Sequence, residues 1–271
     1  MGMTCLLPLV HLAAISFSDS AAASANYVKF WPIGFNLDAY RETFHASGFV
    51  KSFVISLIRV LLGTMLNLFM IITASYPLSR SNREFKGRNI IIWFYVFPMM
   101  FSGGLIPFYL VVSQLGLNNN PLVLIIPGCV PIFSVIIMMN FFRDIPKQIY
   151  EAALIDGAGH GSILTRVFLP LSKASVATVA LFSIVGHWNE WFTATIFLDK
   201  PMFPLQTYLR QLLVKIDYAN LTADDIERLK HLSDRSFRAA QLFLATIPIL
   251  CIYPFLQKYF VKGMTLGSVK E

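Results

Sequence analysis

Residues 50–78 read VKSFVISLIRVLLGTMLNLFMIITASYPL, and Lys51 and Arg59 are the only charged side chains among them. The hydrocarbon core of a bilayer is about 30 Å thick, so an α-helix needs about 20 apolar residues to cross it. This stretch is longer than that. Hydrocarbon offers a backbone no hydrogen-bond partner, so a crossing segment satisfies its own N–H and C=O groups, and the stretch is read as a helix.

Working outward, residues 89–112, 121–142, 171–198 and 237–261 meet the same length, which makes five spans. Residues 1–17 are apolar but short. A signal peptide is one reading of them, because 21–25 is rich in small residues, but no basic residue precedes the apolar run. The preferred reading is a membrane helix whose beginning is missing, giving about six spans with both ends cytoplasmic. Composition agrees: 56% of the 271 residues are hydrophobic and 14% charged, against about 25% charged in soluble domains. The expected fold is an all-α polytopic membrane protein, a single transmembrane domain over residues 1–271.

The net charge of +7 does not mark a nucleic-acid binder, because the basic residues collect beside the spans rather than along a polar face. Arg80, Arg83, Lys86 and Arg88 stand against Glu84 in one loop, whereas the following loop, 116–120, carries no charge. Arg143, Lys147, Arg166 and Lys173, then Lys258, Lys262 and Lys270, continue the alternation. Short cytoplasmic loops retain Lys and Arg, which places these segments inside. Cys5, Cys129 and Cys251 have no paired or metal-ligand spacing and read as small hydrophobes. Pro98, Gly103, Gly104 and Pro107 interrupt the third span, where a freed backbone needs protein or cavity water around it. No internal repeat is apparent, which weighs against many inverted-repeat transporters.

Residues 143–170 are too polar for the bilayer. Asp144 and Pro146 signal a helix start, and Gly157, Gly159 and Gly161 a stop. The short helix between them puts Ile145, Ile149 and Ala152 on one face, with Lys147, Glu151 and Leu154 on another. An interfacial helix carries large apolar anchors and a basic face, whereas this one has alanines and a glutamate. Docking into a partner's groove fits better: Ala152 and Ala153 permit close approach, and Glu151 offers a carboxylate.

The pattern Glu151-Ala152-Ala153, three residues, Gly157, nine residues, Val167, one residue, Leu169-Pro170 resembles the EAA loop of ATP-binding-cassette importer permeases, with valine where isoleucine is usual. YPLSR (76–80), GGLIP (103–107), WNE (188–190) and PLQ (204–206) are similar to segments of the carbohydrate permeases of the maltose type. The tail YPFLQKYFVKGMTLG (253–267) is similar to the branch assigned to aldouronate, alginate and related oligosaccharides. The resemblance implies a non-catalytic half-transporter without cofactors. Its partners are a second, similar permease, two cytoplasmic ATPase subunits, an extracytoplasmic binding protein, an oligosaccharide and the bilayer. It also implies that Glu151, Ala152, Ala153, Asp156, Gly157, Leu169 and Pro170 couple the pathway to the ATPase. The chain has no Gly-x-x-x-x-Gly-Lys-Ser/Thr phosphate loop of its own.

Ionisable residues inside spans mark functional sites by default. Arg59 lies about nine residues, and Glu190 about eight, inside the outer ends of their spans, so at 1.5 Å per residue their depths match. They are read either as a structural ion pair or as a site where Arg59 holds a uronate carboxylate. Trp188, Trp191 and Tyr109 are candidates to stack on sugar faces, and Asn67, Asn189 and Gln114 to hydrogen-bond hydroxyls, although outer-end aromatics also form interfacial belts. His187 reads as a packed neutral histidine and no metal site is expected. Residues 199–238 read as an extracytoplasmic loop in which 205–213 and a helix capped by Thr222 and Asp225, carrying Ile226 and Leu229, face the binding protein. Competing readings are a permease of the same kind for peptides or amino acids, an ion-coupled secondary transporter, and an intramembrane enzyme.

Overall fold

The computed structural model describes residues 2–214 and 235–267. Among the described residues the regular structure is helical, with no strand. The helices are α1 (Gly2–Ser16), α2 (Ser20–Ser24), α3 (Asp38–His45), α4 (Ser47–Ser79), α5 (Arg88–Met100), α6 (Leu105–Gln114), α7 (Ile132–Asp144), α8 (Lys147–Ile155), α9 (His160–Ile163), α10 (Leu169–Leu171), α11 (Lys173–Asn189), α12 (Phe192–Phe197), α13 (Leu205–Val214) and α14 (Arg235–Gly267). The surface helix expected around Thr222 and Asp225 lies outside the described residues.

The chain divides into two compact units, one of Met1–Ile58 with Asn189–Cys251, the other of Arg59–Trp188 with Ile252–Glu271. In the first, Ala14, Ile15, Ala23, Val28 and Ala239 form a small core. Small side chains there let backbones approach closely, and polar groups fasten them. Ser236 Oγ donates to Ser18 O at 3.1 Å, Arg235 Nη1 donates to Ala23 O at 3.3 Å, and Ile33 N–H donates to Ser18 Oγ at 3.0 Å. The α13 helix is fixed through its first residue, where Leu205 N–H donates to Ser56 Oγ at 2.8 Å, and by Tyr208, whose ring comes within 3.0 Å of where a Cβ on Gly48 would sit.

The second unit is built on a core of Ile71, Tyr76, Leu78, Val135, Met138, Met139, Phe142, Tyr150, Ile163, Phe168 and Val179. Ser75 Oγ donates to Val135 O at 3.0 Å, which satisfies a buried hydroxyl between α4 and α7. The last carbonyls of a helix have no partner within it and carry its negative end. At the end of α4 the Leu78 carbonyl accepts from Arg88 Nε at 2.7 Å and from Arg143 Nη2 at 3.5 Å. Two cations of the basic loops therefore cap a helix. Beyond it, Ser81 and Glu84 form a capping box, with Ser81 N–H donating to Glu84 Oε2 at 2.8 Å and Glu84 N–H to Ser81 Oγ at 3.3 Å. The Ser81 backbone N–H holds the Glu84 carboxyl below its usual pKa.

The spans differ from their expected forms in continuity. Among the described residues two helices are unbroken and long and apolar enough to cross a membrane, Ser47–Ser79 and Arg235–Pro254, and the number reaches four where each of two bent pairs is counted as one span. The span at 89–112 is α5 and α6, bent by 120° at Gly104, whose φ of 83° only glycine takes without strain. The span at 121–142 opens with a 3₁₀ turn, Pro121–Leu124, and becomes helical only after Pro131, leaving the 13 residues of α7. The span at 171–198 breaks at Ser172, with a bend of 86° between Leu171 and Lys173, and again at Glu190 and Trp191. Cys129 is half-buried as expected of a small hydrophobe, whereas Cys251 is exposed on α14.

Where α4 meets α11, a Cβ on Gly63 would lie 2.4 Å from His187 Nε2. Gly63→Val is therefore expected to destabilise the protein by about 1–3 kcal/mol through overpacking, read as a lowered unfolding midpoint in detergent. An unchanged midpoint would contradict this close approach.

Candidate functional site

The surface helix begins and ends where its sequence signals place it. Pro146 precedes α8 with φ −54° and ψ 132°, and Asp156 closes it. Gly157 then turns left-handed at φ 76°. Its N–H donates to Leu154 O at 3.0 Å, and the Ala158 N–H donates to Ala153 O at 3.0 Å, the paired bonds of a Schellman motif. Asp144 ends α7 instead of opening α8.

The buried face of α8 is neither of the two read from the sequence. Tyr150 is buried, and Ala153 packs half-buried against the same core with Ile145 and Ala158. Glu151, Ala152 and Asp156 are exposed, as are Ile149 and Leu154, and Ile155 is 86% exposed. Lone exposed apolar residues are ordinary on a protein surface. Here three of them flank the Glu-Ala-Ala run on one short helix, a composition that fits a partner's groove.

Behind the helix, Arg80, a residue of the basic loop and of the YPLSR segment at 76–80, sits among aromatic rings. The Arg80 guanidinium lies 5.2 Å from the Tyr76 ring centre, 4.4 Å from Tyr150 and 4.5 Å from Phe168. Phe142 meets the Tyr76 and Phe168 rings edge-on at 6.4 and 5.5 Å, and Tyr76 OH pairs with His160 Nδ1 at 3.4 Å. The box therefore joins α4, α7, α8, α9 and the turn before α10. Its one legible sign was Tyr76 and Arg80 at i, i+4 on a helix end, since Tyr150 and Phe168 come from distant positions.

Leu169 and Pro170 follow a π-helical turn, Leu164–Phe168, closed by the Leu169 N–H donating to Leu164 O. Proline has no N–H and its ring crowds the carbonyl four residues back. The wider turn precedes that position, and single π turns recur at functional sites. Leu169 and Val167 pack against the core while Pro170 is exposed. Pro170 lines an open groove of about 460 Å³ with Ile72, Thr165, Leu169, Lys173, Val176 and Ala177, beside the break that leads into α11.

The proposed pathway residues fall in both units. In the second, Arg59 is buried, 5% exposed, and its Nη2 donates to Leu124 O at 3.4 Å. Two turns on, the Asn67 amide is satisfied when Nδ2 donates to the Gly63 and Cys129 carbonyls, at 3.2 and 3.3 Å, and Oδ1 accepts from His187 Nε2 at 3.3 Å. The packed reading of His187 thus acquires a partner, in a polar seam with Asn67 that only a glycine at 63 leaves room for. Trp188 is buried, while Tyr109 is 43% exposed and Gln114 exposed.

In the first unit, Asn189 is exposed and Glu190 half-buried. Glu190 Oε1 accepts the Thr193 N–H, so this acid caps the first turn of α12, where the helix dipole favours a negative charge. Trp191 lies beneath the Arg210 guanidinium, 3.3 Å from its ring centre, and its carbonyl accepts from Thr207 Oγ1 at 3.1 Å. These contacts bind α13, part of the expected outer loop, to the segment that carries the aromatic candidates.

Comparison with known proteins gives the class. Residues 71–266 match the family of binding-protein-dependent transport system inner membrane components, a range that contains the whole of α8 to α11. The chain belongs to this family and is accordingly a non-catalytic membrane component of an ABC transporter. The protein LplC of Bacillus subtilis (strain 168) is 39% identical over 271 residues, all of this chain and 91% of that one. The polygalacturonan/rhamnogalacturonan transport system permease protein YtcP of the same organism is 37% identical over 269 residues, covering 99% of this chain and 93% of its own. Among solved structures, a chain of a bacterial ABC transporter involved in the import of the acidic polysaccharide alginate matches with a TM-score of 0.87 at 30% identity, covering 96% of this chain and 92% of that chain.

The cap role of Glu190 can be separated from any other. Glu190→Ala is expected to cost about 1 kcal/mol of stability by removing the acceptor for the Thr193 N–H, while Glu190→Gln retains most of it. Thermal unfolding of the two variants in detergent checks this, and equal midpoints for wild type and Glu190→Ala would contradict the cap.

Proposed function

We propose that this chain forms one half of the translocation pathway of an ATP-driven importer for an acidic oligosaccharide, and that α8 is the element through which a separate ATPase subunit drives it. The observation that carries the coupling role is the two-sidedness of α8. Tyr150 and Ala153 hold its back to the core, while Glu151, Ala152 and Ile155 stand in the open. A helix fixed on one side and bare on the other is suited to receive a groove on a moving partner and pass on its displacement.

The path of that displacement follows the chain. Asp156 and Gly157 end α8 in a turn closed by two hydrogen bonds, and α9, the π turn and Leu169-Pro170 lead to the break before α11. Moving α8 would tilt α11 about Ser172, where the chain is not helical. This is gating around a central site, with elements that move as rigid bodies about short hinges.

In this reading α8 and the loop 80–88 face the cytoplasm. Contact of Arg80 with Tyr150 puts both on one side, and that side carries the positive charge expected inside. Both chain ends are then cytoplasmic, and residues 199–238 face an extracytoplasmic binding protein. A second, similar permease completes the pathway, and two ATPase subunits complete the machine.

The acidic cargo is supported by the polygalacturonan/rhamnogalacturonan transport system of YtcP and the alginate import of the similar solved transporter, and by Arg59. A buried guanidinium inside a span is costly unless it has partners, and its fork matches a carboxylate. Tyr109, Trp188 and Trp191 would offer ring faces to sugars, with Asn67, Asn189 and Glu190 as polar contacts.

The test is ATP hydrolysis by the complex reconstituted from both permeases, ATPase and binding protein, with uronate and neutral oligosaccharides added separately. Uronate oligomers are expected to stimulate hydrolysis, and Glu151→Lys to abolish the stimulation. Arg59→Met is expected to lower uptake of uronates by about tenfold while sparing neutral sugars, the loss of one charge-assisted contact. Equal losses for both classes would remove Arg59 from cargo recognition. Stimulation that persists in Glu151→Lys would remove α8 from coupling.

A further inference from the structure

The Arg80 box joins two segments of the coupling path above, α8 and the π turn, to a third that the path does not reach, the end of α4. Tyr150 stands on α8, Phe168 on the π turn that leads to Pro170, and Tyr76 on the last turn of α4, the long span that also carries Arg59 and Asn67. Arg80 is the shared contact of all three rings, within 5.2 Å of each centre. Tyr76, Tyr150 and Phe168 are buried, and Arg80 is half-buried.

We propose that Arg80 is a positioning residue that clamps α8 and the π turn to the end of α4, so that displacement of the surface helix moves α4 together with α11. The proposal rests on the reading of α8 as the ATPase-docking element and deepens it. Without the clamp, α8 would bear on α4 only through the apolar packing of the core they share, and otherwise through the chain that follows it toward α11. With it, the same push reaches the span that holds Arg59 and Asn67. A cation over several ring faces suits this task, because the attraction depends weakly on small rotations and is strengthened away from water. The rings can slide slightly under the guanidinium without losing it. Met and Leu at the same place would pack but would not hold three rings to one point.

A role in topology alone makes a different prediction. Arg83 lies in the same loop with the same charge and is exposed, so its removal costs the same positive-inside signal while leaving the box intact. Comparing the two positions separates clamp from charge.

The experiment uses the full complex in proteoliposomes, with oligogalacturonate and oligoalginate as probes. It reads co-purification of the ATPase with the permeases, and the number of ATP molecules hydrolysed per sugar imported. Arg80→Met is expected to keep the ATPase bound, since the outward face of α8 is untouched, and to raise ATP consumed per sugar by about tenfold. Arg83→Met is expected to leave the ratio at the wild-type value. Arg80→Lys, which keeps a cation over the rings, is expected to fall between them and serves if Arg80→Met does not assemble. A wild-type ratio in assembled Arg80→Met or Arg80→Lys complexes would overturn the clamp, whatever their yield. A rise of equal size in Arg83→Met would overturn it in favour of a general charge effect. Loss of the docking reading shows differently: Glu151→Lys complexes would then retain both ATPase binding and a wild-type ratio, and both proposals would fall.

Discussion

One guanidinium, that of Arg80, lies against rings from three separate parts of the chain, and the arrangement of the coupling region depends on it. Each cation–π contact is worth about 0.5–2 kcal/mol according to how dry it is. The contact with Tyr150 acts on α8 itself, beside the burial of Tyr150 and Ala153, while those with Tyr76 and Phe168 act on α4 and the π turn. A nine-residue helix has little stability of its own in water. It persists because Tyr150 is buried, because Gly157 closes its end with two backbone bonds, and because Arg80 fills the space behind it.

The same economy of polar groups runs through the membrane-spanning part. A bilayer penalises unsatisfied backbone, so each interruption needs a local solution. At the end of α4 the solution is cationic, with Arg88 and Arg143 on the Leu78 carbonyl. At Glu190 it is anionic, with a carboxylate on the first turn of α12. Within the helices it is a small residue, as at Gly63, where the His187 ring takes the place of a side chain and reaches Asn67. Breaks at Gly104, Pro131 and Ser172 shorten what the hydropathy pattern presents as full spans. A chain of such pieces can bend at defined places, which is what a gated pathway requires.

Much of this was legible in the sequence because it depends on composition and on short-range signals. The run at 50–78 gave α4, and Pro146 and Gly157 bracketed α8 within a residue. The residues from Glu151 to Pro170, by their resemblance to the EAA loop, pointed to the family that the match over residues 71–266 shows. Which face of α8 is buried was not legible, because an i, i+4 pattern on nine residues admits several stripes and only the partner residues of the core select Tyr150. The aromatic box was hidden for the same reason, since its members lie as far apart as Tyr76 and Phe168. Glu190 read as a pathway acid, and its bond to the Thr193 N–H could not be seen without the break at Trp191, which a hydropathy window smooths over.

The central claim is that the outward face of α8 receives the ATPase, and a photo-crosslinking amino acid in place of Ile155, 86% exposed, tests it most directly. In the intact complex the account predicts a covalent adduct with the ATPase subunit, lost when Glu151→Lys is added. Adducts with lipid or with the binding protein, and none with the ATPase, would contradict it.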